Sequence, residues 1–218
     1  MKKIVFFDLD GTILDTIGNL TSALNRALLA FGFPYVTVEQ ATSFLGNGSF
    51  MLVRRALGGV DNDELCLSVR ERFRQEYEKD MYSLTKPYEG MTELLTKLKE
   101  KGIITAVITN KDDVAAVPMT KYYFGDTVDF CRGVRRDGDR KPNPEPSLSI
   151  LENVGLSPEN GIFVGDGMAD FEVSRALGMD FVPCGYGYTS PEKLFEKCGT
   201  EPVSNVYELE KKLLEYLV

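Results

Sequence analysis

From Pro87 onward, short β-rich apolar runs alternate with amphipathic stretches, and no other feature of the sequence restricts the possible folds as tightly. Helical spacing over 91–101 closes at Gly102 and leads into a strand at 103–108. The pattern then predicts a weaker strand at 128–133, a helix at 147–154, a strand at 161–165, a helix at 169–177 ended by Gly178, a strand at 181–184, and helices at 191–197 and 207–217. Pro118 is expected to interrupt the helix that follows Thr109. Such alternation predicts an α/β fold: a Rossmann-like, doubly wound parallel sheet with helices on both faces.

The first apolar run, Ile4-Val5-Phe6-Phe7, fits the same pattern but stands apart from the rest of it. It stops at Asp8-Leu9-Asp10-Gly11-Thr12, after which residues 16–84 read as helix throughout. Asp15 or Thr16 can cap a helix carrying Ile17, Leu20, Leu24, Ala27, Leu28 and Phe31 on one face, stopped by Gly32 and Pro34. Thr37 and Gln40 have capping-box spacing, Ser49 can cap a helix over 50–57, and Asp61 or Asp63 opens a longer one bearing Leu65, Val69, Phe73 and Tyr77. The expected organisation is an α/β core of residues 1–15 and 87–218 with an all-helical cap of residues 16–86 inserted in it. Because it leaves the core directly after Asp8 and Asp10, the cap can lie over them as a lid, hinged at 12–16 and 84–88.

The chain contains no histidine. That removes the commonest general base and metal ligand, and with them Ser–His triads, Cys–His dyads and histidine-bound zinc. Acid–base work falls to carboxylates, lysine, tyrosine or cysteine, and a metal would meet mostly oxygen donors, which favours Mg²⁺. With 25 basic against 33 acidic residues and a net charge of -8, neither nucleic acid nor an anionic membrane is an expected partner. Cys66, Cys131, Cys184 and Cys198 form no Cys-x-x-Cys pair. No cleavable signal or membrane-length apolar stretch is expected, since Asp8 and Asp10 end the run that follows Lys2 and Lys3. The expectation is a reduced, cytoplasmic setting, with the chain a monomer or a homodimer.

Three further places put polar side chains at or just past a strand end: Thr109-Asn110-Lys111, Lys141-Pro142-Asn143-Pro144 and Gly165-Asp166-Gly167-Met168-Ala169-Asp170. In a doubly wound sheet these meet Asp8 and Asp10 in one crevice. The set suits phosphoryl transfer. Asp8 could attack phosphorus and form an aspartyl phosphate. Like charges about 4 Å apart repel by about 4 kcal/mol at an effective dielectric of about 20, so a carboxylate needs a cation before it can approach a phosphate. Asp8 and Asp166 can hold Mg²⁺, with Asp170 one helical turn farther on, while Lys141 and the Thr109 hydroxyl bind phosphate oxygens. Asp10 could protonate a leaving alcohol and later take a proton from water. Gly11 lets backbone amides close on the phosphoryl group beside the N-terminus of the following helix, and with Thr12 and Asn110 it is expected to bind substrate. In the cap, the turn over 46–48 and a nearby guanidinium suit an anion, so Gly48 and Arg55 are expected to touch substrate as well. Tyr186 and Tyr188 read as packing or loop residues.

Taken in order, Asp8-Leu9-Asp10-Gly11-Thr12, Thr109-Asn110, Lys141-Pro142 and Gly165-Asp166 through Asp170 resemble the motifs of the haloacid dehalogenase-like hydrolase superfamily across nearly the whole chain. The resemblance to its phosphatases implies a Rossmann-like core with a helical cap. It also implies Asp8 as nucleophile, Asp10 as acid and base, and Mg²⁺ on Asp8, Asp166 and the backbone carbonyl of Asp10. Phe44-Leu45-Gly46-Asn47-Gly48 and Gly185-Tyr186-Gly187-Tyr188 resemble the phosphoglycolate phosphatase branch, which implies a small phosphorylated metabolite, 2-phosphoglycolate, as substrate. A sugar phosphomutase would use the same nucleophile, but its His-Ala-x-x-Lys cap element is absent from this sequence. Specificity for pyrophosphate, a nucleotide or a sugar phosphate stays open, as does a role as a catalytically inactive binding scaffold.

Overall fold

In the computed structural model, which describes residues 2–217, the chain opens on β1 (Ile4–Phe7), whose four side chains are all buried. A tight turn leads to β2 (Leu14–Asp15), and then come α1 (Ile17–Ala30), α2 (Val38–Phe44), α3 (Gly48–Ala56) and α4 (Asp63–Lys79). After β3 (Lys86–Pro87) helices and strands alternate: α5 (Met91–Glu100), β4 (Ile104–Asp112), α6 (Asp113–Phe124), β5 (Phe130–Val134), α7 (Glu145–Val154), β6 (Gly161–Gly165), α8 (Met168–Leu177), β7 (Asp180–Pro183), α9 (Pro191–Cys198) and α10 (Val206–Leu217). Among the described residues, no helix is long and apolar enough to cross a membrane.

Five strands form a parallel sheet in the order β5-β4-β1-β6-β7, and β2 pairs with β3 in a separate ribbon. The chain builds outward from β1 through β4 and β5, then crosses to the other side of β1 for β6 and β7. The reversal therefore falls beside β1, and ligands in open α/β sheets bind beyond the strand ends at such a reversal. Phe6 lies in register with Ala106 and Phe163, and their face of the sheet, with Ile4, Ile108 and Phe181, packs on Ile150 and Leu151 of α7 and Val173 of α8. The rings of Phe6 and Phe163 stack at 5.9 Å. Val5, Phe7, Val107, Ile162 and Val164, on the opposite face by strand periodicity, are buried as well. Burial on both faces is why these strands read as continuous apolar runs rather than as alternations.

The chain divides into two compact units, Met1–Leu14 with Pro87–Val218, and Asp15–Lys86. In the second unit Leu24 and Leu28 of α1 and Val69, Phe73 and Tyr77 of α4 are buried. Buried Asn19 accepts from the Leu84 amide and the Thr85 hydroxyl and donates to the Asp80 carbonyl, tying the start of α1 to the segment that follows α4. Buried Glu76 pairs with Arg26, Arg72 and Lys79 at 3.1, 2.8 and 2.7 Å.

Several boundaries depart from the sequence expectation. Pro118 lies inside α6 rather than interrupting it. The carbonyl that loses its partner belongs to Val114, which is 65% exposed, so water can replace the missing amide. β4 continues to Asp112 through a register shift after Ile108. Asn62 caps α4 by accepting from the Leu65 amide at 3.0 Å, in place of Asp61 or Asp63. Asn47, not Ser49, precedes α3, and α7 starts two residues before the expected 147. The Thr37–Gln40 capping box forms as expected.

Candidate active site

Asp8 is the first residue beyond β1, and its amide donates to the Val164 carbonyl at 3.0 Å, which keeps it in line with β6. The chain then turns sharply. The Gly11 amide donates to the Leu14 carbonyl, and the amides of Ile13 and Leu14 both donate to Leu9. The Gly11 amide is thus engaged inside its own turn. The glycine supplies two other things: a φ of +84°, and clearance, since a Cβ there would collide with the Asp166 carboxylate. No helix begins after this turn until Ile17.

Asp166 follows β6 directly, and Asp170 lies in the first turn of α8, where its Oδ2 accepts from the Gly167 amide at 3.0 Å. One oxygen from each of Asp8, Asp166 and Asp170 lies within 4.8 Å of the others. Lys141 comes from the long connection between β5 and α7 and sets its buried ammonium 2.7 Å from Asp8 Oδ1 and 2.6 Å from Asp170 Oδ1. Asp166 is held by the Tyr188 amide at 2.6 Å and by the buried Thr12 hydroxyl at 3.3 Å. Thr12 therefore faces Asp166.

These groups strain one another electrostatically. Burial, then the charges of Asp8 and Asp170, push Asp166 well above the ordinary carboxylate range. Burial and Asp8 push Asp170 up to about 7 even though Lys141 opposes the shift. For Lys141, burial works against the ammonium, but Asp170 and Asp8 outweigh it and raise its pKa. Three clustered carboxylates against one ammonium leave a buried excess of negative charge if all are ionised. A compact, all-oxygen donor set with this deficit fits a hard divalent cation. The cradle is tightly built, because a Cβ on Gly165 would run into the Asp170 carboxyl and one on Gly187 into Asp166 and the Gly11 carbonyl.

The other expected residues fall into place differently. The Asp10 carboxylate lies outside the cluster and pairs with Lys111 Nζ at 3.1 and 3.3 Å. Thr109 is buried, and its hydroxyl accepts from the Lys111 amide at 3.2 Å. Asn110 turns its amide to the main chain of Lys141. Gly48 and Arg55 belong to the second unit, where Gly48 opens α3 with a φ of +81°. The Arg55 guanidinium donates to the carbonyls of Phe44 and Leu45 at 2.6 and 3.2 Å and to the Asn47 side chain, so it closes its own turn.

Two further contributors, Lys111 and Tyr186, lie in stretches the sequence singles out, where neither is given a role in the chemistry. Lys111 shares the polar end of β4 with Thr109. Tyr186 donates its hydroxyl to the Thr12 carbonyl at 3.1 Å while its ring packs steeply inclined on that of Tyr88, the ring centres 4.8 Å apart, which braces the turn after Asp8.

The same fold recurs in known proteins. Protein tyrosine kinase A of Mycobacterium tuberculosis superposes with a TM-score of 0.81 at 26% identity, over 97% of this chain and 98% of that one, so proteins named for different reactions share the fold. A crystal structure from Lactobacillus delbrueckii subsp. bulgaricus, inferred to be a phosphoglycolate phosphatase, superposes with a TM-score of 0.90 at 30% identity, over 97% of this chain and 98% of that one. Phosphoglycolate phosphatase 1 of Pseudomonas aeruginosa is 32% identical over 215 residues, which is 96% of this chain and 79% of that protein. The profile of the haloacid dehalogenase-like hydrolases matches residues 5–184, a span that runs from β1 past β7 and holds Asp8, Asp10, Lys141, Asp166 and Asp170. On the strength of that span and its relatives, the chain belongs to the haloacid dehalogenase-like hydrolase family.

Proposed function

We propose that the chain is a Mg²⁺-dependent phosphatase that hydrolyses a phosphomonoester of a small metabolite, 2-phosphoglycolate, in the cytoplasm, by way of a phosphorylated Asp8. One observation carries the chemistry. Within the carboxylate cluster Asp8 is the most exposed, its side chain at 15% with Oδ1 taken by the Leu9 amide and Lys141, whereas Asp166 and Asp170 are buried at 4% and 1%. A nucleophile must be reachable by its substrate; ligands need not be.

Asp8, Asp166 and the Asp10 carbonyl would hold the ion with support from Asp170, and when bound it supplies the positive charge that lets a phosphate dianion approach a carboxylate. Lys141 and the Thr109 hydroxyl bind the remaining phosphoryl oxygens. An Asp8 oxygen attacks phosphorus as the bond to the leaving alcohol breaks, and Asp10, protonated for this step and positioned by Lys111, gives that alcohol its proton and is left as the carboxylate. Asp10 then takes a proton from the water that attacks the same phosphorus, which releases inorganic phosphate and restores Asp8. Residues 16–86 serve as the cap that selects the substrate. The relatives named phosphoglycolate phosphatases support this choice of ester.

A phosphate-release screen over metabolite esters, with Mg²⁺ and with chelator, tests the reading. Asp8→Asn should lower turnover by at least about 10³-fold while leaving the circular dichroism spectrum unchanged. Equal or higher kcat/KM on sugar phosphates, nucleotides or pyrophosphate would displace 2-phosphoglycolate. Transfer of phosphate to protein tyrosine in place of water would favour the reaction named for the mycobacterial neighbour.

A further inference from the structure

Lys141 reaches its two carboxylates from the connection between β5 and α7, and a catalytic lysine on a long loop needs its main chain fixed. Most bonds of this loop are internal: Asp139 accepts from the amides of Arg135 and Arg136, and the Asn143 amide donates to Arg140. An exposed ion pair from Arg135 to Asp113 ties down its start. Among the described residues, the main chain of Lys141 is tied by one side chain. Asn110 Oδ1 accepts from the Lys141 amide at 2.7 Å, and Asn110 Nδ2 donates to the Lys141 carbonyl at 3.3 Å.

The two bonds have the form of a β-bridge in which a carboxamide replaces one peptide group. Asn110 stands on β4, three residues past Val107, which pairs with Phe7 just before Asp8, so the strand beside β1 also carries the side chain that holds the backbone of Lys141. We propose that Asn110 is a positioning residue. It locks the main chain of Lys141 so that the ammonium meets Asp8 and Asp170, and it does not bind the phosphoryl group with its own amide. The inference deepens the phosphatase reading and rests on it for its kinetic part alone.

The test compares the full-length chain with Asn110→Ala and Asn110→Asp, by residue-resolved amide hydrogen exchange and by kinetics on p-nitrophenyl phosphate and 2-phosphoglycolate. In Asn110→Ala the Lys141 amide should exchange at least about tenfold faster, while amides of β1 and β6 keep their protection and so report an intact fold. kcat/KM should fall about 100-fold, by the same factor for both esters, because the displaced ammonium serves the phosphoryl group they share. Asn110→Asp keeps the accepting oxygen, so it should leave the Lys141 amide protected, and it decides the matter if the alanine variant loses its fold. Unchanged exchange at Lys141 in Asn110→Ala, loss of protection in Asn110→Asp, or a loss confined to one ester would each overturn the proposal. If the wild-type chain releases phosphate from neither ester, the phosphatase reading fails, and exchange at Lys141 still decides whether Asn110 locks that backbone.

Discussion

Lys141 sets its ammonium between Asp8 and Asp170, and it opposes the burial that pushes Asp170 toward protonation. Lys141→Met keeps the stem and deletes the charge. In chelator it should cost about 3 kcal/mol, read from the urea midpoint, because it breaks a buried pair. A saturating divalent cation should restore most of that stability, whereas phosphate release should stay low. A change too small to resolve would mean that the acids are already neutralised by protons. The wild-type pH profile tests the same cluster. Asp166 and Asp170 have raised pKa values in the folded chain, so between about 4, the unfolded value, and about 7 the folded state binds more protons than the unfolded one. Stability in chelator should therefore fall as pH rises through that window, and a divalent cation should remove the fall. A flat chelator profile would contradict the shifts.

Among the elements, α1 and α4 are joined by Glu76, whose carboxyl is held below its ordinary range by the Lys79 hydrogen bond first and by Arg72 and Arg26 as well. A depressed pKa contributes stability above the unfolded value of 4.5 and loses it as pH falls through the folded one. Glu76→Gln should lower Tm at neutral pH, and the gap from wild type should close in acid; a constant gap would assign the effect to packing. Elements of this chain were legible in the sequence to the degree that side-chain type determines them. Buried parallel strands such as β1 and β6 are apolar runs, and Gly178 in the left-handed region ends α8 as the pattern suggests. The cap of α4 was not legible, because Asp61, Asn62 and Asp63 can all accept and only the turn geometry selects Asn62. Pro118 misled because its cost depends on whether water reaches one carbonyl, which is a matter of exposure. The candidate site divides in the same way. Carboxylates at strand ends announce themselves, but the Tyr188 amide on Asp166 and the clamp of Asn110 on Lys141 use main-chain groups that every residue carries.

For the molecule as a whole, binding of a divalent cation should act on stability by mass action. At a free concentration about 100 times Kd it should add about 2.7 kcal/mol, or roughly 5–10 °C in Tm for a chain of this length. Asp8, Asp166 and Asp170 all belong to the unit formed by Met1–Leu14 and Pro87–Val218. If calorimetry resolves two transitions, the cation should move the one belonging to that unit, and chelator should reverse the shift; no response to Mg²⁺, Mn²⁺ or Ca²⁺ would remove the cation site. The clearances around Asp166 and Asp170 also bear on which sequences this fold can drift to over generations. In a library randomised at its glycines and selected for activity, positions 11, 165 and 187 should return glycine alone, since any Cβ there meets a carboxylate. Gly46, Gly58 and Gly59 have positive φ but nothing within 4 Å of where a Cβ would stand, so asparagine and aspartate should survive there at a cost of about 1 kcal/mol. Descendants of this chain can therefore vary at the outer bends while inheriting three hydrogens unchanged.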